Sequence, residues 1–367
     1  MKKTYKSVVV KIGSNVLTHA NGTLNTTRLS SLVDQIVELQ SAGIKVIVVS
    51  SGAVAAGRRE IALGSRRLDS VSERQLFSAV GQVKLINKYY NLFHDHGVTC
   101  GQVLTTKEAF SSRTHYLNQQ NCMRTMLENG VIPIINENDT ISVTELMFTD
   151  NDELSGLVAT MMGVDALVIL SNIDGIFDGD PSLETSTVIR EIDSSNSDIS
   201  EFISTSKSQY GRGGMLTKSR ISSKVADEGI EVIVANGRRE GILPALLLGD
   251  QDVVATRFTP SQRAVSGVKR WIAHSDGFAK GRVIVDDNAL KALLSSSATS
   301  LLPVGVVAIE GDFEKHDIVK VVSRDGFTVG VGRIAVDSTE ARASVGVRGL
   351  KPMIHYDYLY IEEQHQL

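Results

Sequence analysis

Short, mostly apolar segments of six or seven residues recur in the first two thirds of the chain. Nearly every position in them is apolar, which predicts strands buried on both faces, because a strand with one solvent-facing side alternates apolar and polar residues. The segments are SVVVKIG (7–13), KVIVVSS (45–51), VIPIIN (131–136), ALVILS (166–171) and EVIVAN (231–236). They predict a parallel sheet that is covered on both sides.

The stretches between these strands have the three-and-four spacing of amphipathic helices. In TTRLSSLVDQIVELQSAG (26–43) the apolar residues fall on one helix face, and Gly43 suits the C-terminal end. Further helices are predicted over 72–96, 113–129, 151–162 and 215–228. The alternation of strands and helices predicts an α/β domain in which helices lie on both faces of the sheet.

The pattern changes after about residue 270, where short strands follow one another between glycine-containing and acidic turns. This spacing predicts a small, mostly β domain, in the form of a partly closed barrel. No strong periodicity marks residues 250–275, so we place the two domains at 1–258 and 275–367. The serine-rich run 193–208 is predicted to be an exposed, mobile loop.

Composition and charge exclude several classes of protein. The chain is 42% hydrophobic and 22% charged with a net charge of −4, which is ordinary for a globular protein and gives no electrostatic footprint for nucleic acid. Two cysteines, Cys100 and Cys122, predict reduced thiols rather than a disulfide framework. Lys11 interrupts the only N-terminal apolar run, and no stretch approaches a membrane span, so we expect a cytoplasmic protein.

Two clusters follow the first two strands. Lys11 stands at the end of a buried strand, where an unpaired ammonium is costly, so it either reaches solvent at the sheet edge or meets phosphate at the carboxyl end of the sheet. Ser50, Ser51 and Gly52 lie between the second strand and a helix start rich in small residues. This turn presents backbone N–H groups to an anion, or is a serine-capped turn without a ligand.

A third cluster combines carboxylates with amides. Asn136 and Asp139 end an apolar strand, and Asp150, Asn151 and Asp152 precede or begin a helix. Acidic residues at a helix start are also ordinary capping, and the spacing does not match a calcium loop. Amides mixed with carboxylates suit a zwitterionic ligand, because the carboxylates pair with its amine and the amides with its carboxylate.

The last two clusters are candidates for nucleotide contacts. LSNIDGIFDGDP (170–181) is a strand followed by a loop, and its composition fits a nucleotide-binding loop or a surface turn equally. GRGGMLTKS (211–219) resembles a Walker loop but has Thr217 where that loop requires glycine. Its glycines permit close approach of backbone to phosphate, with Lys218 on the helix that follows.

In this order, the motifs resemble those of the amino acid kinase superfamily, and within it the glutamate 5-kinases. The resemblance rests on VVVKIGSNVLT, VVSSGAVAAGR, INEND, DNDELSGLVA and GRGGMLTK, and it extends to about residue 255. The C-terminal part resembles a PUA domain, at KRWI (269–272) and SLLPVGV (300–306). The resemblance implies a three-layer αβα sandwich around an open, mainly parallel eight-stranded sheet, followed by a mostly β PUA-like domain.

The resemblance also implies a reaction and a site. ATP with Mg²⁺ would phosphorylate the side-chain carboxylate of L-glutamate, the first step of proline biosynthesis. Lys11 and Lys218 would contact the transferring phosphoryl group, and Asp152 would orient both lysines. The residues that would line the glutamate site are Ser51, Gly52, Asn136, Asp139, Asp150 and Asn151. The residues that would hold ATP, besides Lys11, are Ser171, Asn172, Arg212, Gly213, Gly214, Met215, Leu216, Thr217 and Lys218.

No protein ligand for a metal follows from these motifs, so Mg²⁺ would be held mainly by ATP phosphates and water. Many relatives carry Thr-Asp where this chain has Ser171-Asn172, and the lost carboxylate bears on nucleotide contacts. Partners implied by the resemblance are proline as a feedback inhibitor, a second copy of the chain in a dimer or tetramer, and a glutamyl-phosphate reductase.

Two alternative functions remain open from the residues. A sister kinase would use another carboxylate or a carbamate as acceptor, although the acidity of Asp139 and Asp150 favours an acceptor with a free amine. An RNA-binding protein would use the PUA-like domain. Residues 275–367 hold 10 Lys and Arg against 13 Asp and Glu, a sum of −3, which argues against RNA.

Overall fold

A computed structural model of the chain describes residues 4–61, 68–111, 113–142, 151–179, 183, 185–193, 215–249, 253–261, 272, 279–295 and 299–361. The chain divides into two compact units, Met1–Arg263 and Ala264–Leu367. The serine-rich run that sequence predicts to be mobile lies outside the described residues, apart from its first position. In the described part of the chain, no helix combines the length and apolarity that crossing a bilayer requires.

The first unit is built on one sheet of eight strands. They are β1 (Ser7–Ile12), β2 (Lys45–Ser50), β3 (Cys100–Thr105), β4 (Ile132–Glu137), β5 (Ala166–Ser171), β6 (Glu191–Asp193), β7 (Glu231–Asn236) and β8 (Ala255–Thr259). Their order is β3-β4-β2-β1-β5-β7-β8-β6, and all are parallel from β3 through β7. β8 runs antiparallel to β7, and β6 pairs parallel with β8. The predicted open, mainly parallel eight-stranded sheet is confirmed.

Helices cover both faces of this sheet. They are α1 (Ser14–Leu17), α2 (Thr26–Ser41), α3 (Ala53–Glu60), α4 (Ser70–Asp95), α5 (Lys107–Ser111), α6 (Arg113–Glu128), α7 (Asn151–Met162), α8 (Met215–Asp227) and α9 (Ile242–Leu247). Apolar residues of α2, α4 and α9 form one core with alternate strand residues such as Val8, Val10 and Val48. The other face of the sheet packs on α6, α7 and α8. Burial on both sides explains why the central strands are almost entirely apolar.

Helices α3 and α4 cross at two glycines. A Cβ atom at Gly57 would overlap the carbonyl oxygen of Phe77, and one at Gly81 would overlap the carbonyl oxygen of Ala53. Only residues without a side chain permit this approach of two backbones. The crossing places the start of α3, which follows the Ser51-Gly52 turn, next to the middle of α4.

Over residues 279–295 and 299–361, the second unit contains a five-stranded sheet and two short α-helices. The strands are β9 (Gly281–Val285), β10 (Val306–Gly311), β11 (Ile318–Val322), β12 (Thr328–Arg333) and β13 (Leu359–Ile361), in the order β10-β9-β11-β12-β13. The helices are α10 (Asp287–Leu294) and α11 (Ser338–Ser344). Valines of β9, β11 and β12 form a core with Leu293, Ile334 and Met353. The predicted mostly β C-terminal domain is confirmed.

Candidate active site

The strand order of the sheet reverses at β1. Open α/β sheets bind ligands at such a reversal point, outside the carboxyl ends of the strands. β1 pairs with β2 on one side and with β5 on the other, and the chain reaches these neighbours by connections in opposite directions. Lys11 lies one residue before the end of β1, opposite Val49 of β2 and Ile169 of β5. The carboxyl ends of β1, β2, β4 and β5 therefore open onto one crevice.

Asp152 holds two lysines at this crevice. Its Oδ1 atom lies 2.5 Å from the Lys11 ammonium, and its Oδ2 atom accepts a 2.7 Å hydrogen bond from the Lys218 ammonium. The three side chains come from β1, from the first turn of α7 and from the first turn of α8. Lys11 and Asp152 are buried and Lys218 is mostly so, since only 7%, 1% and 12% of the Lys11, Asp152 and Lys218 side chains is exposed.

The charges of this trio leave one positive charge over. Burial raises the pKa of the Asp152 carboxyl, but the ammonium groups of Lys11 and Lys218 outweigh burial and hold that pKa below its usual range. Asp152 is therefore ionised at neutral pH, and two cations share one anion. A surplus positive charge at the carboxyl end of a parallel sheet is suited to phosphate.

Gly13 lets β1 turn away directly above the trio. Its backbone N–H donates a 3.1 Å hydrogen bond to the carbonyl of Leu170. A Cβ atom at Gly13 would lie 3.2 Å from that oxygen and 3.5 Å from the Lys11 nitrogen. Any larger residue would press on the β5 backbone and would occupy space beside the ammonium.

Asn151 ties together the ends of β2 and β4. Its amide nitrogen donates to the carbonyl of Ser50 at 3.0 Å, to the hydroxyl of Ser51 at 2.9 Å and to the side-chain carbonyl of Asn136 at 3.0 Å. Gly52, between β2 and α3, has φ +104°, a left-handed conformation that favours glycine. The structure thus brings together four residues that the sequence suggested for the acceptor site.

Helix α4 supplies polar side chains to the same region. Gln82 accepts a 2.9 Å hydrogen bond from the Asn136 amide, and the Tyr89 and Ser50 hydroxyls lie 2.8 Å apart. Burial raises the pKa of Tyr89, so its hydroxyl stays protonated and available for that hydrogen bond. Sequence reasoning did not single out Gln82 or Tyr89. Polar residues at helical spacing on an otherwise apolar face were the pattern that could have indicated them.

Two carboxylates, one in the last residue of β4 and one two residues beyond it, share Arg74 of α4. Arg74 donates through Nε to Asp139 Oδ1 at 2.7 Å, and its Nη2 atom lies 2.5 Å from the same oxygen and 3.1 Å from Glu137 Oε2. The hydroxyl of Ser78 donates to Asp139 Oδ2 at 3.1 Å, and that of Ser142 donates to Glu137 Oε1 at 2.8 Å. Asp139 and Glu137 are both buried. Sequence reasoning chose Asp139 but neither Glu137 nor Arg74.

The ends of β5 and β7 form the other side of the crevice. Ser171 ends β5, and its backbone carbonyl accepts a 2.8 Å hydrogen bond from the backbone N–H of Gly237. Its hydroxyl points to the Asn172 side chain at 3.5 Å. Close by in sequence, the Asp174 carboxylate accepts hydrogen bonds from Asn236 and Arg239, each 2.9 Å long. A carboxylate is therefore present in the loop after β5, two residues beyond Asn172.

Part of the loop that the sequence predicts to bind nucleotide lies among the described residues. Met215, Leu216, Thr217 and Lys218 form the first turn of α8. Arg212, Gly213, Gly214 and Asp150 lie outside the described residues, so their proposed contacts stay predictions. The Lys218 side chain nevertheless contacts Asp152 from the first turn of α8, as expected for a lysine on the helix that follows this loop.

Comparison with known proteins identifies the family. Residues 6–236 match the model of the amino acid kinase family, and residues 281–353 match that of the PUA domain. The chain is 61% identical over 362 residues to the glutamate 5-kinase of Bacteroides thetaiotaomicron, covering 99% of this chain and all of that one. It is 47% identical over 358 residues to the glutamate 5-kinase of Chlorobaculum tepidum, covering 97% and 98% of the two chains.

The fold agrees with a more distant solved structure. The carbamate kinase of Giardia lamblia bound to AMP-PNP superposes with a TM-score of 0.51 at 19% identity, over 70% of this chain and 99% of that one. This similarity shows the fold alone. On the family model and the full-length relatives, the chain belongs to the glutamate 5-kinase family of amino acid kinases.

Proposed function

We propose that this protein transfers the γ-phosphoryl group of ATP to the side-chain carboxylate of L-glutamate, giving L-glutamyl 5-phosphate. The observation that carries the proposal is the pair of lysines held by one buried carboxylate, Asp152, beside an acceptor site of amides and carboxylates. Membership of the glutamate 5-kinase family supports the same acceptor. This reaction would be the first step of proline biosynthesis.

The reaction needs no general base. A glutamate side chain, with an ordinary pKa of about 4.3, is already ionised at neutral pH. The catalyst must instead bring an anionic nucleophile to an anionic phosphate and stabilise charge on the equatorial oxygens. Lys11 and Lys218 would contact those oxygens from two directions. Asp152 would fix both lysines without neutralising them both.

The acceptor would bind across the ends of β2 and β4. The hydroxyl of Ser51 and the amides of Asn136 and Asn151 would contact its carboxylates, and the Gly52 backbone permits close approach. Asp139 would pair with the ammonium, together with Asp150. An N-acylated acceptor has no cation for these carboxylates, and this favours a free amino acid over acetylglutamate.

MgATP would bind from the side of β5 and α8. Ser171, Asn172 and the 212–218 loop, which begins α8, would hold it, with Lys11 and Lys218 at its γ-phosphate. Among the residues that the structure describes, no group of three or more His, Cys, Asp and Glu side chains is arranged to hold a metal ion. Mg²⁺ would then arrive with the nucleotide, coordinated by phosphate oxygens and water.

The acceptor assignment is tested by a panel assay. Purified protein with MgATP should release ADP with glutamate, and at much lower kcat/KM with acetylglutamate, aspartate and carbamate. A rate on glutamate no higher than on the other three acceptors would defeat the proposal. A preference for carbamate or acetylglutamate would instead assign the sister activity, and salt-sensitive retention of RNA in a filter assay would favour the binding-protein alternative.

Further properties belong to the same proposal. We expect inhibition by proline, which titration of proline into the glutamate assay tests. We also expect a dimer or tetramer, a cytoplasmic location, and transfer of the acyl phosphate to a glutamyl-phosphate reductase. That last expectation follows from the lability of an acyl phosphate, which its own free amine can attack.

A further inference from the structure

Arg74 contacts the acceptor site without belonging to the set of residues that would bind phosphate. It lies in the second turn of α4 and bridges Asp139 and Glu137 with distances of 2.5, 2.7 and 3.1 Å. The Arg74 side chain is 34% exposed, whereas the two carboxylates are 6% and 3% exposed. One partly accessible cation therefore serves two buried anions.

Arg74 reduces the negative charge at the proposed ammonium site. Asp139, Glu137 and Arg74 together carry a charge of −1, so Arg74 halves the negative charge that the two carboxylates would bring to the site where Asp150 would also face the ammonium. Without the guanidinium they would carry −2 at a site that must admit glutamate, itself an anion with two carboxylates and one ammonium. The additional negative charge would repel the substrate carboxylates and would push the two protein carboxylates apart.

The contacts also fix where Asp139 points. Arg74 holds one carboxylate oxygen and Ser78, one helical turn later, donates to the other. Gln82, one turn further, orients Asn136 through its amide. These residues at spacings of four face the end of β4 in a row, so α4 aligns the acceptor site along its length.

We propose that Arg74 is a specificity-determining positioning residue, which sets the charge of the ammonium site and orients Asp139 for an acceptor with a free amine. This inference rests on the proposed function. A lysine would supply the charge but not the geometry, because an ammonium is a point charge and cannot replace a planar guanidinium that contacts two carboxylates at once.

The test is the effect of Arg74→Ala and Arg74→Lys on steady-state kinetics with glutamate. Arg74→Ala should raise the KM for glutamate by about 30- to 100-fold, the low end of the effect of truncating one partner of a buried charge pair, because the Arg74 side chain is 34% exposed. The kcat should stay within about threefold, since Arg74 contacts none of Lys11, Asp152 and Lys218. Arg74→Lys should give an intermediate KM.

The KM for MgATP separates positioning from a general structural effect. Positioning leaves it unchanged, whereas a distorted fold raises it together with a lower kcat and a lower Tm. Lys84→Ala is the matched control, because it removes another cation from α4 whose partner is the exposed Glu60. That variant should keep the parent KM for glutamate.

A double variant tests the charge argument itself. Adding Glu137→Gln to Arg74→Ala restores the sum of −1, so its KM for glutamate should fall at least about threefold below that of Arg74→Ala. An equal or higher KM in the double variant would overturn the charge argument. An unchanged KM for glutamate in Arg74→Ala would overturn the role of Arg74. A rise in the KM for MgATP and a fall in kcat, each as large as the rise in the KM for glutamate, would overturn it as well. Absence of glutamate turnover by the parent would instead defeat the proposed function.

Discussion

Replacing Lys218 with alanine is expected to lower kcat on glutamate by about 10²- to 10³-fold, the usual effect of removing one preorganised group that stabilises transition-state charge. The Lys218 side chain is 12% exposed and its ammonium is held by Asp152 at 2.7 Å, so it is oriented before the substrates arrive. The truncation also leaves Lys11 and Asp152 as a neutral pair. The surplus positive charge on which the crevice depends would then be lost.

The measurement is steady-state ADP release with both substrates saturating. Lys224→Ala is the control, because it removes a lysine from the same helix about 9 Å further along its axis. This variant should keep kcat within about threefold. A Lys218→Ala enzyme that retains more than about a tenth of the parent kcat would show that this lysine does not stabilise the transferring phosphoryl group.

Asp152→Asn is expected to affect both activity and stability. The amide keeps the shape of the side chain but leaves two buried ammonium groups without their anion, which should lower the free energy of unfolding by about 3 kcal/mol. Because the lysines would repel each other and move apart, kcat should fall by about 100-fold as well. Urea unfolding and the ADP-release assay measure the two effects.

The stability loss should depend on pH. The pKa of Asp152 is held below its usual range in the folded protein, so its contribution is present at neutral pH and is lost as pH falls through that lowered value. The difference between parent and Asp152→Asn should therefore shrink below about pH 4. Glu153→Gln, at the next position of α7, removes a carboxylate from a more exposed pair with Lys107 and should cost less than about 1 kcal/mol. Equal stability losses in the two variants would contradict the account.

The central strands were predictable because burial on both faces leaves an uninterrupted apolar run. β3, β6 and β8 lack that feature and were not predicted. β3 (Cys100–Thr105) is an edge strand with Gln102 exposed, and β6 has only three residues. β8 (Ala255–Thr259) pairs antiparallel at the far side of the sheet and contains Arg257, so residues without clear periodicity still form a strand.

The site was predictable only in part, for a different reason. Polar residues near the end of an apolar strand, such as Lys11 and Asn136, can be recognised locally because they interrupt a strong pattern. Arg74 and Gln82 lie within an amphipathic helix where polar residues are ordinary. Their partners are more than 50 positions away in sequence, and only the packing of α4 against the end of β4 reveals them.

The most direct test of the central claim is the identity of the product. The free amine of L-glutamyl 5-phosphate can attack its own acyl phosphate and close a five-membered lactam, whereas phosphorylation of the α-carboxylate would require a three-membered ring. Incubation of the protein with glutamate and MgATP, without a trapping reagent, should yield one 5-oxoproline and one phosphate for each ADP. Release of ADP with no 5-oxoproline, or with intact glutamate recovered in full, would contradict phosphorylation of the side chain.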